Sequence, residues 1–315
     1  MRKFLEQIIY FLTLIKLSFL TGNVSIAKQI AKEGVAIRRK NGRIQLPDMG
    51  IDIDPKKHSY LLKGIHNLCS LKQNTNIELE ISDEDQIIAS INDCRFYINS
   101  KEEIFILNEV FALHIYDVSI PCKSVVVDIG MNIADTAIYF AAKEEIEKVY
   151  AYEPFKTTYE AALRNIELNP KLSAKIKTYN FGLSDKEEDL ICDYSAGHKG
   201  CVGISSVVLP EKLKGDITKE KIKVFPVTDE VIKIKKEFPN HKFIMKVDCE
   251  GSEFEIIEIL DKKNLLGQIN VFLLEWHTKP PSIIINTLLK AGFAVFNRDS
   301  FKNKNGQGML YAFKI

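Results

Sequence analysis

The stretch Val125-Val126-Val127-Asp128-Ile129-Gly130-Met131-Asn132-Ile133-Ala134-Asp135 decides how this chain is read. Val125 to Ile129 is a short apolar run rich in β-branched residues, the pattern of a strand buried on both faces. A polar bend follows, and Asp135 to Lys143 has the pattern of a helix. A strand-to-helix turn at the carboxyl edge of a sheet is where open α/β folds bind ligands. Gly130 can take positive φ or let a ligand approach the backbone. Asp128 is placed to hold a cationic or hydroxyl group, and Asn132 and Asp135 add polar groups near the helix start. The dinucleotide fingerprint G-x-G-x-x-G is absent, because Asn132 and Asp135 stand where glycines are expected. A pyrophosphate needs the close backbone approach those glycines allow, which disfavours a nicotinamide oxidoreductase. A ligand without a pyrophosphate tolerates this turn.

Downstream, strands alternate with helices. Val149 to Tyr152 reads as a second strand, Thr157 to Leu168 as a helix ended by Asn169-Pro170, and Ile176 to Phe181 as a third strand. Lys242 to Val247 and Asn270 to Leu274 are further strands, with helices over Glu253 to Leu260 and Ser282 to Ala291. This alternation implies βαβ units and a parallel sheet. Ala294 to Asn297 and Met309 to Phe313 have no helix between them, so a terminal hairpin with one antiparallel strand is expected. An insertion at 185–228 breaks the rhythm with added strands over Leu190 to Tyr194, Ser205 to Leu209 and Ile222 to Val227. Gly197, Gly200 and Gly203 mark a loop between the first two.

Upstream of Lys123 the reading is an N-terminal helical segment over 1–40 and a mixed α/β cap segment over 41–122. Ile8, Ile9, Leu12, Ile15 and Phe19 recur at helical spacing, and Gly22-Asn23 marks a break. Glu6, Gln7 and Lys16 interrupt the apolar run, so it is too short to span a bilayer. A helix packed on the domain or a partner is the first reading, and a helix lying on a membrane surface is the second. Ile26 to Ile37 is expected to be a second helix closing in Arg38-Arg39-Lys40. Tyr60 to Leu71 and Glu102 to Tyr116 read as helices, and Ile77 to Ile81, Ile87 to Ile91 and Phe96 to Ile98 as strands.

Three further strand ends carry chemistry. Glu153 follows the second strand, 25 residues after Asp128, where an acid binds a ribose diol in nucleotide folds. As a rim carboxylate it is expected to matter for binding and little for stability. Lys246-Val247-Asp248-Cys249-Glu250-Gly251-Ser252-Glu253 ends another strand. Ser252 and Glu255 have the spacing of a capping box. In Glu275-Trp276-His277, alternation puts Glu275 and His277 on one face. Asp248 or His277 is then a candidate general base. Alternatively Asp248, Glu250, Glu275 and His277 offer ligands to a divalent metal.

These motifs, with Tyr152-Glu153-Pro154, Gly182-Leu183-Ser184-Asp185 and Leu274-Glu275-Trp276-His277, resemble those of the FkbM family of S-adenosylmethionine (SAM)-dependent methyltransferases. The resemblance covers roughly residues 104–315. It implies a class I Rossmann-like methyltransferase fold, a mostly parallel seven-stranded sheet with one antiparallel strand, here with an N-terminal α/β extension. It also implies that Asp128, Gly130 and Asn132 line the methionine end of SAM, that Glu153 holds the ribose, and that Gly182 and Leu183 flank the adenine. Transfer to a hydroxyl of a sugar, glycan or secondary metabolite is the implied reaction. Family members usually carry glycine where this chain has Ala134, and the added methyl is expected to narrow the cofactor pocket.

Composition fits an ordinary globular protein, with 46% apolar and 27% charged residues. Lys+Arg (43) and Asp+Glu (42) nearly cancel, so no global basic excess points to nucleic acid. The six cysteines form no C-x-x-C pair and match no zinc or disulfide framework, which fits a reducing, cytoplasmic setting. A non-catalytic module that keeps the fold is the competing class of function, and absence of SAM binding would reveal it.

Overall fold

The computed structural model describes residues 2–195, 217–299 and 306–315, with backbone alone at 2–9 and 299. The expected strand Ser205 to Leu209 and the loop of Gly197, Gly200 and Gly203 lie outside the described residues. The chain divides into two compact units, residues 1–115 and 116–315.

The first unit opens with α1 (Arg2–Thr21) and α2 (Val24–Glu33). Asn23 separates them because its side chain accepts the amides of Ser25 and Ile26, an N-cap that starts α2. The second helix was expected to run to Ile37 and into the basic run. It stops earlier because Gly34 takes a left-handed C-cap at φ 68°. Arg38–Lys40 is instead strand β1, turned through Asn41-Gly42 onto β2 (Arg43–Leu46), with β3 (Ile51–Ile53) beside it. The helix expected over Tyr60 to Leu71 is two helices divided at Gly64, α3 (Ser59–Lys63) and α4 (Ile65–Asn74). The three expected strands form an antiparallel meander, β4 (Glu78–Ile81), β5 (Ile87–Ile91) and β6 (Cys94–Ile98). Helix α5 (Lys101–Leu107), capped by Ser100, gives way to a wider π turn over Asn108–Ala112, so the expected helix does not continue to Tyr116.

The second unit is built on β7 (Ser124–Ile129), α6 (Asp135–Ala141), β8 (Ile146–Tyr152), α7 (Lys156–Glu167), α8 (Pro170–Ser173) and β9 (Ile176–Tyr179). The third strand was expected to reach Phe181. It ends at Tyr179, and Gly182–Ser184 forms β10 in a separate small sheet with β11 (Glu188–Tyr194) and β12 (Thr218–Pro226). Then come α9 (Val227–Glu237), β13 (Lys242–Val247), α10 (Glu253–Lys262), β14 (Val271–His277), α11 (Ser282–Lys290), β15 (Phe293–Asp299) and β16 (Gln307–Lys314). Helix α9 was not anticipated, although Val227, Val231 and Ile234 recur at helical spacing and are all buried.

Seven strands make the main sheet in the order β15-β16-β14-β13-β7-β8-β9. Strand β16 runs antiparallel to both β14 and β15, and the remaining pairs are parallel. The sheet is therefore the seven-stranded, one-strand-reversed arrangement expected. Every residue of β7 is buried, which explains its unbroken apolar run. Val125, Val127, Phe243, Met245, Phe272 and Leu274 pack in one continuous core with the helices. This core holds β7, β8, β13 and β14 side by side, so their carboxyl ends meet along one edge.

Candidate active site

The turn between β7 and α6 is built on three left-handed residues, Gly130 (φ 83°), Asn132 (φ 49°) and Ala134 (φ 66°). Gly130 has no alternative. A Cβ on it would sit 1.8 Å from the carbonyl oxygen of Asp248. The first strand-end turn therefore rests directly on the backbone of the second. Asparagine tolerates the left-handed region better than most residues. Alanine at 134 costs roughly 1–2 kcal/mol there, and its methyl is fully buried. A glycine at this position, as the resemblance leads one to expect, would be free of that backbone cost.

Asp128 is fully buried, and its carboxylate is occupied by the protein itself. Oδ2 accepts the Thr136 hydroxyl at 2.7 Å, and Oδ1 faces the Lys246 ammonium at 3.1 Å. The cationic and hydroxyl groups that its position suggested are therefore side chains of this chain. Lys246 also donates to the carbonyl of Gly130 at 2.5 Å and stands 3.8 Å from Asp248. Burial would pull its ammonium pKa down, but Asp128, then Asp248 and Asp135, outweigh burial and hold it above its ordinary value. Asp135 is buried at the first position of α6, and burial lifts its pKa to about 7 against the pull of Lys246.

Glu153 departs from the expected rim position. It is 6% exposed. Oε2 accepts the amide of Asn132 and Oε1 the amide of Phe155, each at 3.0 Å. The carboxylate thus staples the β7–α6 turn to the β8–α7 turn, a buried and bonded placement in contrast to the exposed rim acid expected. Burial raises its pKa to about 7, opposed by those two amides. Gly182 and Leu183 lie buried on β10, with the Leu183 side chain in the main core.

A second cluster forms at the ends of β13 and β14. His277 is buried and its Nδ1 meets Oε1 of Glu253 at 3.0 Å. Glu253 is fully buried, and the same oxygen accepts the amides of Gly251 at 3.0 Å and Cys249 at 3.4 Å. The expected capping by Ser252 does not occur, since its side chain makes no cap bond at the start of α10. Nε2 of His277 lies 3.7 Å from carboxylate oxygens of both Glu250 and Glu275, beyond hydrogen-bonding distance. One ligand atom each from Asp248, Glu250 and His277 falls within 4.8 Å of the others. Burial would lower the imidazole pKa, but Glu253, Glu250 and Asp248 raise it to about 10. Burial lifts Glu250 to about 8.

Tyr116, Glu253 and Lys246 were not anticipated as site residues. The Tyr116 hydroxyl donates to Asp248 Oδ2 at 2.9 Å and reaches Glu275 at 3.5 Å. Nothing local marked Tyr116, which is 132 residues from its partner. Lys246 did carry a signal, because a lysine inside the apolar run Phe243-Ile244-Met245-Lys246-Val247 needs a buried partner.

Two turns thus share one edge. One is a rigid bend stapled by a carboxylate, and the other is a cluster of carboxylates around an imidazole. The methyltransferase FkbM domain model matches residues 128–295, more than half of the chain. The chain is 26% identical over 225 residues to methyltransferase sdnD of Sordaria araneosa, covering 63% of this chain and 84% of that protein. It is 28% identical over 221 residues to Methyltransferase 1 of Beauveria bassiana, covering 65% and 87%. A solved FkbM methyltransferase from Methylobacillus flagellatus is 12% identical, with a TM-score of 0.39 over 81% of this chain and 60% of that one. The chain belongs to the methyltransferase FkbM domain family.

Proposed function

We propose that this chain transfers the methyl group of SAM to a hydroxyl of a small-molecule or glycan acceptor, a sugar or secondary metabolite. The observation that carries this reading is the contact of Gly130 with the Asp248 carbonyl. It brings the turn we assign to the nucleoside against the strand end that carries Asp248, the base assigned below.

The residues present fit SAM. Asn132 Oδ1 is buried and has no hydrogen-bond partner, an acceptor suited to an ammonium group. Each oxygen of Glu153 accepts one amide and keeps a lone pair for a ribose hydroxyl. Gly130 and Asn132 would lie along the methionine end, with Asp128 and Asp135 supporting the bend from inside. Gly182 and Leu183 belong to the adenine side on the family resemblance.

SAM supplies an electrophilic methyl on a sulfonium. With SAM bound, the acceptor hydroxyl would be methylated at its oxygen and its proton would pass to a base of this chain. Asp248 is the partly exposed carboxylate beside the turn, held by the Tyr116 hydroxyl, and is the base we assign. His277, anchored by Glu253, orients the acidic side of the cluster. The larger share of catalysis is orientation of the two reactants.

A second reading is favoured by one observation. Asp248, Glu250 and His277 offer two carboxylates and an imidazole within 4.8 Å. A buried carboxylate on the far ring nitrogen is the usual support of a metal-ligating histidine. A divalent cation there would acidify the acceptor hydroxyl directly.

Calorimetry and turnover separate these readings. SAM should bind the wild type with measurable heat, and no heat would leave only a non-catalytic module. His277→Ala should lower turnover about 10-fold to 100-fold with little change in SAM affinity. Equal turnover in both would remove His277 from the site. Turnover that collapses with EDTA and returns with magnesium would select the metal reading, and indifference to both would discard it.

A further inference from the structure

We propose that the face of α1 carrying Phe11, Leu12, Ile15 and Phe19, with the neighbouring basic residues, docks on the surface of an anionic lipid bilayer. From Tyr10 onward, Leu17 is the one residue of α1 that is buried, whereas Phe11 is 63% and Phe19 79% exposed. At 3.6 residues per turn, Phe11, Leu12, Ile15 and Phe19 fall within an arc of about 100°, and Leu17 lies opposite. Single exposed apolar residues need no explanation, but a continuous stripe of large ones marks an interaction surface.

Charge selects the occupant. Residues 1–43 hold nine Lys and Arg against two Glu, while the rest of the chain holds 34 basic against 40 acidic residues. Lys16, Lys28, Lys32, Arg38, Arg39 and Lys40 are all exposed. Of the two acids, Glu33 is engaged by His66 at 2.9 Å. The Arg39 guanidinium reaches the Leu20 carbonyl at 3.5 Å, which sets the basic strand β1 beside the C-terminal end of α1. An anionic bilayer satisfies both features, with acyl chains for the phenylalanines and headgroups for the cations. A second copy of this unit would bring charge of the same sign. Nucleic acid would use the cations and leave the apolar stripe in water. Among the described residues no helix is long and apolar enough to cross a membrane, so α1 would lie in the interface plane.

The test is co-sedimentation of the full chain with vesicles of phosphatidylcholine alone and of phosphatidylcholine and phosphatidylglycerol in equal parts. Binding should favour the anionic vesicles and fall with added salt. The pair Phe11→Ser/Phe19→Ser and the set Lys16→Gln/Arg38→Gln/Lys40→Gln should each weaken binding about tenfold or more. Both alter exposed side chains, so thermal unfolding should not move. Independently, a Phe19→Trp chain should shift its fluorescence to the blue on anionic vesicles. Absence of that shift, or vesicle binding unaffected by either set, would overturn the proposal. So would a dimer in light scattering that only the phenylalanine variant dissolves, or capture of RNA that only the cation variant loses. SAM binding is expected to be the same in every variant, so this proposal and the enzymatic one can fail separately.

Discussion

The turns after β7 and after β13 look alike in sequence and do opposite things. Each starts with an aspartate at a strand end, Asp128 or Asp248, and bends through a glycine at positive φ, Gly130 or Gly251. Each also holds a side chain in the left-handed region, at Asn132 and Ala134 in one and Glu250 in the other. In the first turn the carboxylates are consumed internally, Asp128 by Thr136 and Lys246, and Glu153 by two backbone amides. In the second, Asp248 and Glu250 stay partly exposed and converge on His277. The difference lies in partners and not in local pattern. A carboxylate paired inside the fold holds its turn in place, and one left with an open face is free to take a proton from a bound partner.

The sharpest way to break this comparison is at the contact between the turns. Gly130→Ala drives a Cβ into the Asp248 carbonyl and strains the backbone, so urea unfolding should show a loss of about 3 kcal/mol or more. A stable variant with unaltered SAM affinity would mean the two turns are not locked together. Next is Lys246→Met, which strands Asp128 in the core. The expected loss is about 3–5 kcal/mol, and adding Asp128→Asn should recover a large part of it. Additive losses would deny the coupling.

Glu153 tests the staple. Glu153→Ala should cost about 1–3 kcal/mol, since two buried amides lose their acceptor, and it should weaken SAM binding as well. Its pKa is raised from 4.5 to about 7. The folded state therefore holds a proton that the unfolded state has released, so this stabilisation is full below about pH 4.5 and is lost as pH rises through 7. Glu153→Gln should flatten that part of the stability profile. On the proposed role of Glu153, ribose hydroxyls would donate to its ionised form, so SAM affinity should rise with pH toward 7, at most about tenfold per unit, and level off above it. An affinity independent of pH between 5 and 7 would detach Glu153 from the ligand.

The smallest effect belongs to Ala134→Gly. Relief of the left-handed strain is partly offset by the greater freedom of glycine in the unfolded chain, leaving a net gain of about 0.5 kcal/mol. A thermal melt resolves that sign. A loss of stability would mean the buried methyl contributes more by packing than it costs in backbone strain.

Much of this fold is legible in the sequence. Val125 to Ile129 is apolar save for Asp128, the pattern of a strand in the middle of a covered parallel sheet, and the terminal pair of strands without an intervening helix points to a hairpin. Short-range signals of this kind act through neighbours in sequence, so the strand–helix alternation, the reversed strand and the strand-end positions of Asp128, Glu153, Asp248 and His277 could be read. Burial and pairing are set by groups far apart in the chain. Only the tertiary structure decided that Glu153 is a staple and not a rim acid, that Lys246 pairs with Asp128, that Glu253 folds back onto the loop amides before α10, and that Tyr116 reaches Asp248. A polar side chain in the interior takes its role from whichever partner the fold delivers to within about 3 Å, and no local pattern names that partner.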